Sequence, residues 1–564
     1  MPDRPVETFA GASGLLWRSV ADEAAWLRDF VAARPEALLE LPGAVVVKEN
    51  PVRRVVRLPR EGRPALYLKQ FHLRKWGDRL RYLVTASPAE VEWRISRGMQ
   101  AAGLPVVDVV AAAEARTAGV LTGAMLAVRE IPDALELVPW FFHRFPGHGP
   151  WAGEEAFRRR AVLVRLGEVV RRMHDAGFVH PDLHGGNLLL GKNDPDPAVT
   201  IIDLHKVRRR DVVDAGTREE DLAKLLHSTI TATSHADRAR VIRAYEGSGS
   251  PLLPGPVFLR IEARIRALEE TRVRGRTRAA KLLGASGRFD VDRGDGRRMV
   301  FLRKWGRAPF DEALRRHAAV PDGSPDLLKK GGRSRVTRVT VDGPAGRVPL
   351  IVKETRVRGA MDVLKNAVRP PRAVRGWFGG NGLFYRHLEV AIPRAVIVRG
   401  RWPLLCESFL VMEDVTPDGE RFDLRALRLW GEGPLDADAR RRKRAEAFRF
   451  GRYVGDLHAR GIYHGDLKAV NVFVREKFGR TLHCLIDYDR VEFGTETVGE
   501  RRRIKNLAQL AASVGTYLTR TDRLRFLSGY ATRVRGAWEA RRVLAEGVAR
   551  ASARKIVVTR EPIE

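Results

Sequence analysis

The chain has 564 residues, too many for one ordinary hydrophobic core, so two to four domains are expected. Its two cysteines, Cys406 and Cys484, exclude a disulfide framework and a structural zinc site. No apolar run reaches the ~20 residues that span a bilayer, and no basic start leads into an apolar stretch, so neither a membrane span nor a signal peptide is expected and the reading is cytoplasmic.

The formal net charge of +32 has two readings: attraction to anionic partners, or the solvated arginine of a GC-rich composition. No zinc finger, RNP-type motif or aromatic-interleaved basic run is present, so no nucleic-acid partner is expected.

In chain order, residues 45–58 and 65–71 carry β-prone runs. A helix is expected from Pro88 through Ala102, stopped by Gly103-Leu104-Pro105, and further β-prone segments follow up to Ile131. Residues 154–176 read as a long helix with Leu163, Leu166, Val170 and Met173 on one face. Two short apolar strands, 187–190 and 199–203, flank a polar turn, and after Thr217 the pattern is mainly helical.

The same plan then repeats. The stretch from Met173 to Leu190 (MHDAGFVHPDLHGGNLLL) matches that from Leu457 to Val474 (LHARGIYHGDLKAVNVFV) at an offset of 284 residues (464 − 180). Lys69 and Lys353, Trp93 and Trp377, and Asp203 and Asp487 keep that offset. Several polar positions held in one register imply a duplication. The expected units are residues 1–283 and 284–564, with the Gly- and charge-rich stretch 284–298 as a linker or loop. A sheet-rich front half, then a helical half carrying a polar β-hairpin, is the layout of a protein-kinase-like fold. The expected class is therefore α+β: two bilobal kinase-like domains in tandem, each with a sheet-rich N-lobe and a helical C-lobe.

Phosphoryl transfer in that fold needs a strand lysine on the α/β-phosphates, usually oriented by a helix glutamate. It needs a loop aspartate to accept the hydroxyl proton, an asparagine five residues on, and a strand-end aspartate to hold Mg²⁺. Unit one offers Lys69, with Glu92 or less favourably Glu90, then Asp182, Asn187 and Asp203. Unit two offers Lys353, Asp466, Asn471 and Asp487, plus Lys468 two residues after the base, where a cation neutralises the moving phosphoryl. ATP and Mg²⁺ are the expected cofactors. Each residue alone has an ordinary explanation, such as a turn aspartate or a snorkelling lysine; the ordered set, found twice, does not. Gly376 stands where unit one has Glu92, so Lys353 is expected to use another acid or to be less ordered. The Gly-rich phosphate loop is altered in both units: Lys48-Glu-Asn-Pro-Val-Arg and Lys329-Lys-Gly-Gly-Arg-Ser.

The loop histidines are followed by Pro181 and Gly465 rather than Arg, and only about a dozen residues separate Asp203 and Asp487 from the next helices. That leaves little room for the activation segment on which a protein substrate docks. His180-Pro-Asp-Leu-His-Gly-Gly-Asn, Ile202-Asp-Leu-His-Lys-Val-Arg and Arg218-Glu-Glu-Asp-Leu-Ala-Lys-Leu resemble the lipopolysaccharide core heptose kinases and Kdo kinases, as do Tyr463-His-Gly-Asp-Leu-Lys and Leu485-Ile-Asp-Tyr-Asp-Arg-Val. The resemblance implies ATP- and Mg²⁺-dependent phosphorylation of a sugar hydroxyl on an anionic glycolipid, with peripheral contact at the inner face of the inner membrane. Arg440-Arg-Arg-Lys-Arg at a helix start could face headgroups or be solvated. The competing readings are a pseudokinase or scaffold with one or both units inactive, and an atypical Ser/Thr protein kinase.

Overall fold

The computed structural model describes residues 4–35, 37–73, 81–145, 152–247, 253, 255–294, 296–332, 334–357, 369–401, 405–431, 434–477, 480–514 and 518–553. The side chain of Cys406 lies outside those described, as does Arg333 of the second phosphate loop. The chain divides into two compact units, Met1–Glu270 and Thr271–Glu564. The division falls inside the helix Val257–Thr277, upstream of the 283/284 position expected from the repeat.

Unit one opens with a seven-stranded antiparallel sheet. Its spatial order is Val6–Ala10, Leu16–Val20, Val109–Thr117, Val120–Arg129, Arg63–Phe71, Arg53–Arg60 and Val45–Glu49. Period-two alternation drives it: in Arg53–Arg60, Val56 and Leu58 are buried while their neighbours are not. The helix Pro88–Ala101 packs on this sheet. Ser87 caps it by accepting from the Glu90 amide, and Pro88 begins it. Its buried face is Ala89, Glu92, Trp93, Ser96 and Met99, a helical spacing that carries one carboxylate inward with the apolar residues.

The helical half follows. The helix Gly153–Asp175 buries Leu163, Leu166, Val170 and Met173 against the helix His235–Glu246, and a Cβ at Gly167 would collide with the Val241 carbonyl oxygen. Small sheets sit between the halves: Thr200–Ile201, Leu188–Gly191 and Ala134–Glu136 form one, and Phe178–Val179 pairs with Arg208–Arg209. A parallel bridge from Val106 to Ile201 ties the sheet-rich half to the short strand that leads into Asp203.

Unit two repeats the plan. Its seven-stranded sheet runs Phe289–Gly294, Arg297–Leu302, Pro393–Arg401, Leu405–Glu413, Gly346–Arg356, Ser334–Gly343 and Leu327–Gly331. The parallel bridge recurs from Val390 to Leu485, and Gly451 repeats the close helix approach, now against the Phe526 carbonyl. The bridge residues and the two glycines fall at the 284-residue offset, and the carbonyl that each glycine meets is offset by 285. The stretch 284–298 is corrected here. It is not a linker: Phe289–Gly294 pairs antiparallel with Arg297–Leu302, and this hairpin forms one edge of the second sheet. Its glycines and charges mark a tight turn and a solvated face, while Phe289 is buried against Trp377, ring centroids 5.0 Å apart. The basic helix start is also more specific than expected. Arg440, Arg441, Arg442 and Arg444 are exposed, but Lys443 is buried and paired with Asp522 at 3.1 Å.

No helix among the described residues is long and apolar enough to cross a membrane.

Candidate active site

In unit one the strand Arg63–Phe71 carries Lys69 toward the helix Pro88–Ala101. The Lys69 Nζ donates to Glu92 Oε1 at 2.5 Å and lies 3.8 Å from Asp203 Oδ1. Glu92 is fully buried. A lone carboxylate there would cost several kcal/mol, so the ammonium is the condition of its burial. Glu90 turns instead to Arg18 and Arg94.

Asp203 sits two residues past its short strand with φ +61, a left-handed conformation that a non-glycine residue adopts only when its surroundings hold it there. Asp487 does the same at φ +55. Two groups not singled out from the sequence clasp the Asp203 carboxylate. Arg53 donates through both guanidinium nitrogens at 3.0 and 3.2 Å, and His205 Nδ1 lies 2.8 Å away. Burial works to raise its pKa, but the His205 and Arg53 hydrogen bonds and the Lys69 charge hold it far below the usual carboxylate range. Arg53 leaves the altered phosphate loop. There the Asn50 side chain accepts from the Val52 and Arg53 amides at 2.9 Å each, closing the turn without glycine.

The loop that follows Phe178–Val179 carries Asp182 and Asn187. It is anchored from below: Asp221, on the helix Ala215–Ser228, accepts from the His180 amide at 3.1 Å. The His180 imidazole is buried, and burial pushes its pKa down. Asn187 Nδ2 donates to the Asp182 carbonyl at 2.9 Å, and the Ile202 amide donates to the Asn187 carbonyl at 2.9 Å. Thus Asp182, Asn187 and the residue before Asp203 form one hydrogen-bonded chain. Lys206 donates to Asp182 Oδ2 at 2.6 Å and holds that carboxyl below its usual range, while His184 lies 3.9 Å from it.

These groups suit a Mg²⁺ site by their chemistry. Asp203 is held ionised, and the Asn187 side-chain oxygen accepts no hydrogen bond from a described residue, so two hard oxygen ligands stand on linked elements. Glu92, Asp203 and His205 also offer ligand atoms within 4.8 Å of one another, but the Lys69 ammonium already meets that cluster's negative charge.

Unit two brings its residues together differently. Asn471 Nδ2 donates to the Asp466 carbonyl at 2.9 Å, as in unit one. Lys468 lies 3.0 Å from Asp466 Oδ1, taking the place that Lys206 has on Asp182. Lys353 donates directly to Asp487. Burial acts to raise the Asp487 pKa, and the Lys353 charge and hydrogen bond overcome it and lower it. Leu410 occupies the space beside Gly376: a Cβ there would stand 2.7 Å from Leu410 Cδ2, and the leucine side chain would have to shift. The same helix, Arg372–Phe384, supplies a cation instead: Arg372 donates to Asp489, and both line a small cavity with Lys353 and Asp487. The anchor is altered too. Asn506 replaces Asp221 and donates to the His464 carbonyl at 2.6 Å, while Gln509 bonds Gly465 at 3.1 Å.

The Asp487-Tyr-Asp triplet made Asp489 visible in the sequence. Arg53, His205 and Lys206 stand inside the quoted stretches, but nothing there marks which partners they take, and Arg372 is one arginine among many in a chain this basic.

Both units thus present a polar cleft between an antiparallel sheet and a helical half, the architecture of the protein-kinase-like fold. The chain belongs to the lipopolysaccharide kinase (Kdo/WaaP) family, whose model matches residues 39–245 and 381–530, and it is a phosphotransferase. The two matched segments fall one in each unit. The lipopolysaccharide core heptose(I) kinase WaaP of Pseudomonas aeruginosa is 27% identical over 219 residues, covering 37% of this chain and 79% of that protein. Among solved structures, WaaP in complex with acyl carrier protein is 23% identical with a TM-score of 0.34, over 47% of this chain and 97% of its own. The PknI kinase domain of Mycobacterium tuberculosis is 16% identical with a TM-score of 0.22, over 42% and 85%.

Proposed function

We propose that the chain transfers the γ-phosphoryl group of ATP to a sugar hydroxyl of a lipopolysaccharide core or related anionic glycolipid. Lys69, held by Glu92, positions the α/β-phosphates. Asp182 accepts the proton of the acceptor hydroxyl as its oxygen bonds to phosphorus and the bond to the β-phosphate oxygen breaks, releasing ADP. Asn187 and Asp203 would hold Mg²⁺. When bound, Mg²⁺ supplies charge neutralisation to the phosphates. Lys206 keeps Asp182 ionised, and its ammonium lies where charge builds on the moving phosphoryl. The two units are proposed to serve as separate kinase-like domains, with the acceptor reached by peripheral contact at the membrane face.

The observation that carries this reading is the Lys69–Glu92 pair beside Asp203, linked through Asn187 to Asp182. Unit two repeats the two acids and the amide with Asp466, Asp487 and Asn471, adds Lys468 beside the base, and is proposed as a second transfer site. The Lys353–Asp487 bond and Gly376 favour a second reading, in which unit two binds without transferring. Radiolabelled ATP incubated with lipopolysaccharide extract and the full chain tests both. Loss of label in Asp182→Ala alone assigns transfer to unit one. Loss that needs both Asp182→Ala and Asp466→Ala assigns it to both units. Full labelling by the double variant contradicts the proposal.

A further inference from the structure

Unit two has an open cleft beside its catalytic loop. Gly465, the residue before Asp466, lines it, and the Gly465 amide donates to the Arg490 carbonyl at 3.0 Å. Arg369, Arg375, Arg490 and Lys505 line it as well. The acids of the same wall are already engaged: Asp489 by Arg372, and Glu492 by Arg502 at 2.8 Å. Arg375 is half-buried, and its Nε has no hydrogen-bond partner among the described residues. Four cations therefore converge on one opening without matching carboxylates, an arrangement that repels itself until an anion enters. Phe378 and Phe493 share the wall and add apolar faces of the kind that pack on a sugar ring.

Comparison with unit one shows that this is not the plain consequence of the fold. At the repeat positions, Arg375 corresponds to Val91, and Lys505, on a helix whose register is shifted by one residue, to Glu220, which is paired with Lys224 at 2.7 Å. Arg490 corresponds to Lys206, which is committed to Asp182. In unit two Lys468 takes over that partner, and Arg490 makes no ion pair with a described residue. The geometry points to this cleft as a binding site for a phosphate-bearing sugar, presented by the acceptor next to Asp466. The assignment rests on the phosphotransfer reading for its role and on the cleft alone for its chemistry.

The test is calorimetric titration of the full chain, with Mg·ADP present to fill the nucleotide sites. The probes are glucose 1-phosphate, inorganic phosphate and glucose. Glucose 1-phosphate is expected to bind, inorganic phosphate more weakly, and glucose not at all. The variant Arg490→Gln/Lys505→Gln changes two exposed side chains and should weaken glucose 1-phosphate at least tenfold. Arg375→Gln is a second, independent variant with the same expected direction. Unchanged affinity in the double variant, or glucose binding as tightly as its phosphate, overturns the assignment. So does binding of phosphatidylglycerol vesicles that is lost in the variant when glucose 1-phosphate never binds, which would mark a bilayer contact instead. Failure of Mg·ADP to bind would count against the phosphotransfer reading while leaving the sugar-phosphate result standing.

Discussion

Lys353 donates its hydrogen bond directly to Asp487, with no helix carboxylate between them. At the duplicate position, Lys69 is held by Glu92 and stands 3.8 Å from Asp203. The difference changes what each aspartate can do before nucleotide arrives: Asp487 is engaged by the lysine itself, whereas Asp203 is engaged by Arg53 and His205.

Removing the lysine from unit two should therefore expose a latent cation site. Lys353→Met leaves the part-buried Asp487 with only the more distant Arg372 charge and its hydrogen bond with Asp489, a loss of about 2 kcal/mol of stability. Millimolar Mg²⁺ without nucleotide should then raise the Tm of the variant by more than that of the wild-type chain. Equal shifts in differential scanning calorimetry would contradict the account.

The buried Glu92 gives the matching prediction in unit one. Glu92→Gln keeps the shape and removes the charge that faces Lys69. It should lower kcat by about 10- to 100-fold in an Asp466→Ala background and cost about 3 kcal/mol of stability. A variant with unchanged kcat would show that Lys69 needs no helix partner.

Lys206 holds the Asp182 carboxyl below its usual range. Asp182 must be ionised to accept a proton, so activity falls as pH drops through its pKa. Lys206→Met removes the cation, raises that pKa and moves the acid limb of kcat/KM to higher pH. The profile is to be measured with Asp466→Ala, so that only unit one contributes. An acid limb that stays in place would separate Lys206 from the base.

Acid should destabilise unit two through its buried histidines. Burial drives the His483 imidazole down to about 3 and that of His458 to about 4, against about 6.5 in an unfolded chain. Between those values only the unfolded state takes up the proton, so stability present above about pH 6.5 is lost as pH falls. For His483 alone the loss is about 2 kcal/mol from pH 7 to pH 5. His483 packs on Phe450 and Tyr453, ring centroids 4.9 and 5.0 Å away, and its Nε2 has no hydrogen-bond partner among the described residues. His483→Phe should therefore flatten the pH dependence of urea unfolding in this unit. An unaltered slope between pH 7 and pH 5 would rule out His483 as a contributor.

How much of this was legible beforehand follows from where each signal resides. Register survives in sequence: the 284-residue offset located Lys69, Asp182, Asn187, Asp203 and their duplicates before any geometry was known. The helix Pro88–Ala101 was readable because Pro88 starts it and its apolar spacing is regular. The hairpin at 289–302 was not, because strand pairing is a long-range property and its polar face mimics a linker. Arg53 was invisible because it reaches Asp203 across 150 positions, a distance no local pattern encodes. Arg372 was hidden by the abundance of arginine around it. The absence of an acid at Gly376 could be seen, but its consequence could not: only the packing shows Leu410 filling the place and Lys353 swinging to Asp487.

The most direct test of the central claim is phosphate transfer from γ-labelled ATP to lipopolysaccharide by the full chain and by the Asp182→Ala/Asp466→Ala double variant, with folding checked by circular dichroism. Labelling by the wild-type chain and its loss in a folded double variant is the predicted result. Labelling that persists when both aspartates are gone would contradict the assignment of transfer to these two clefts.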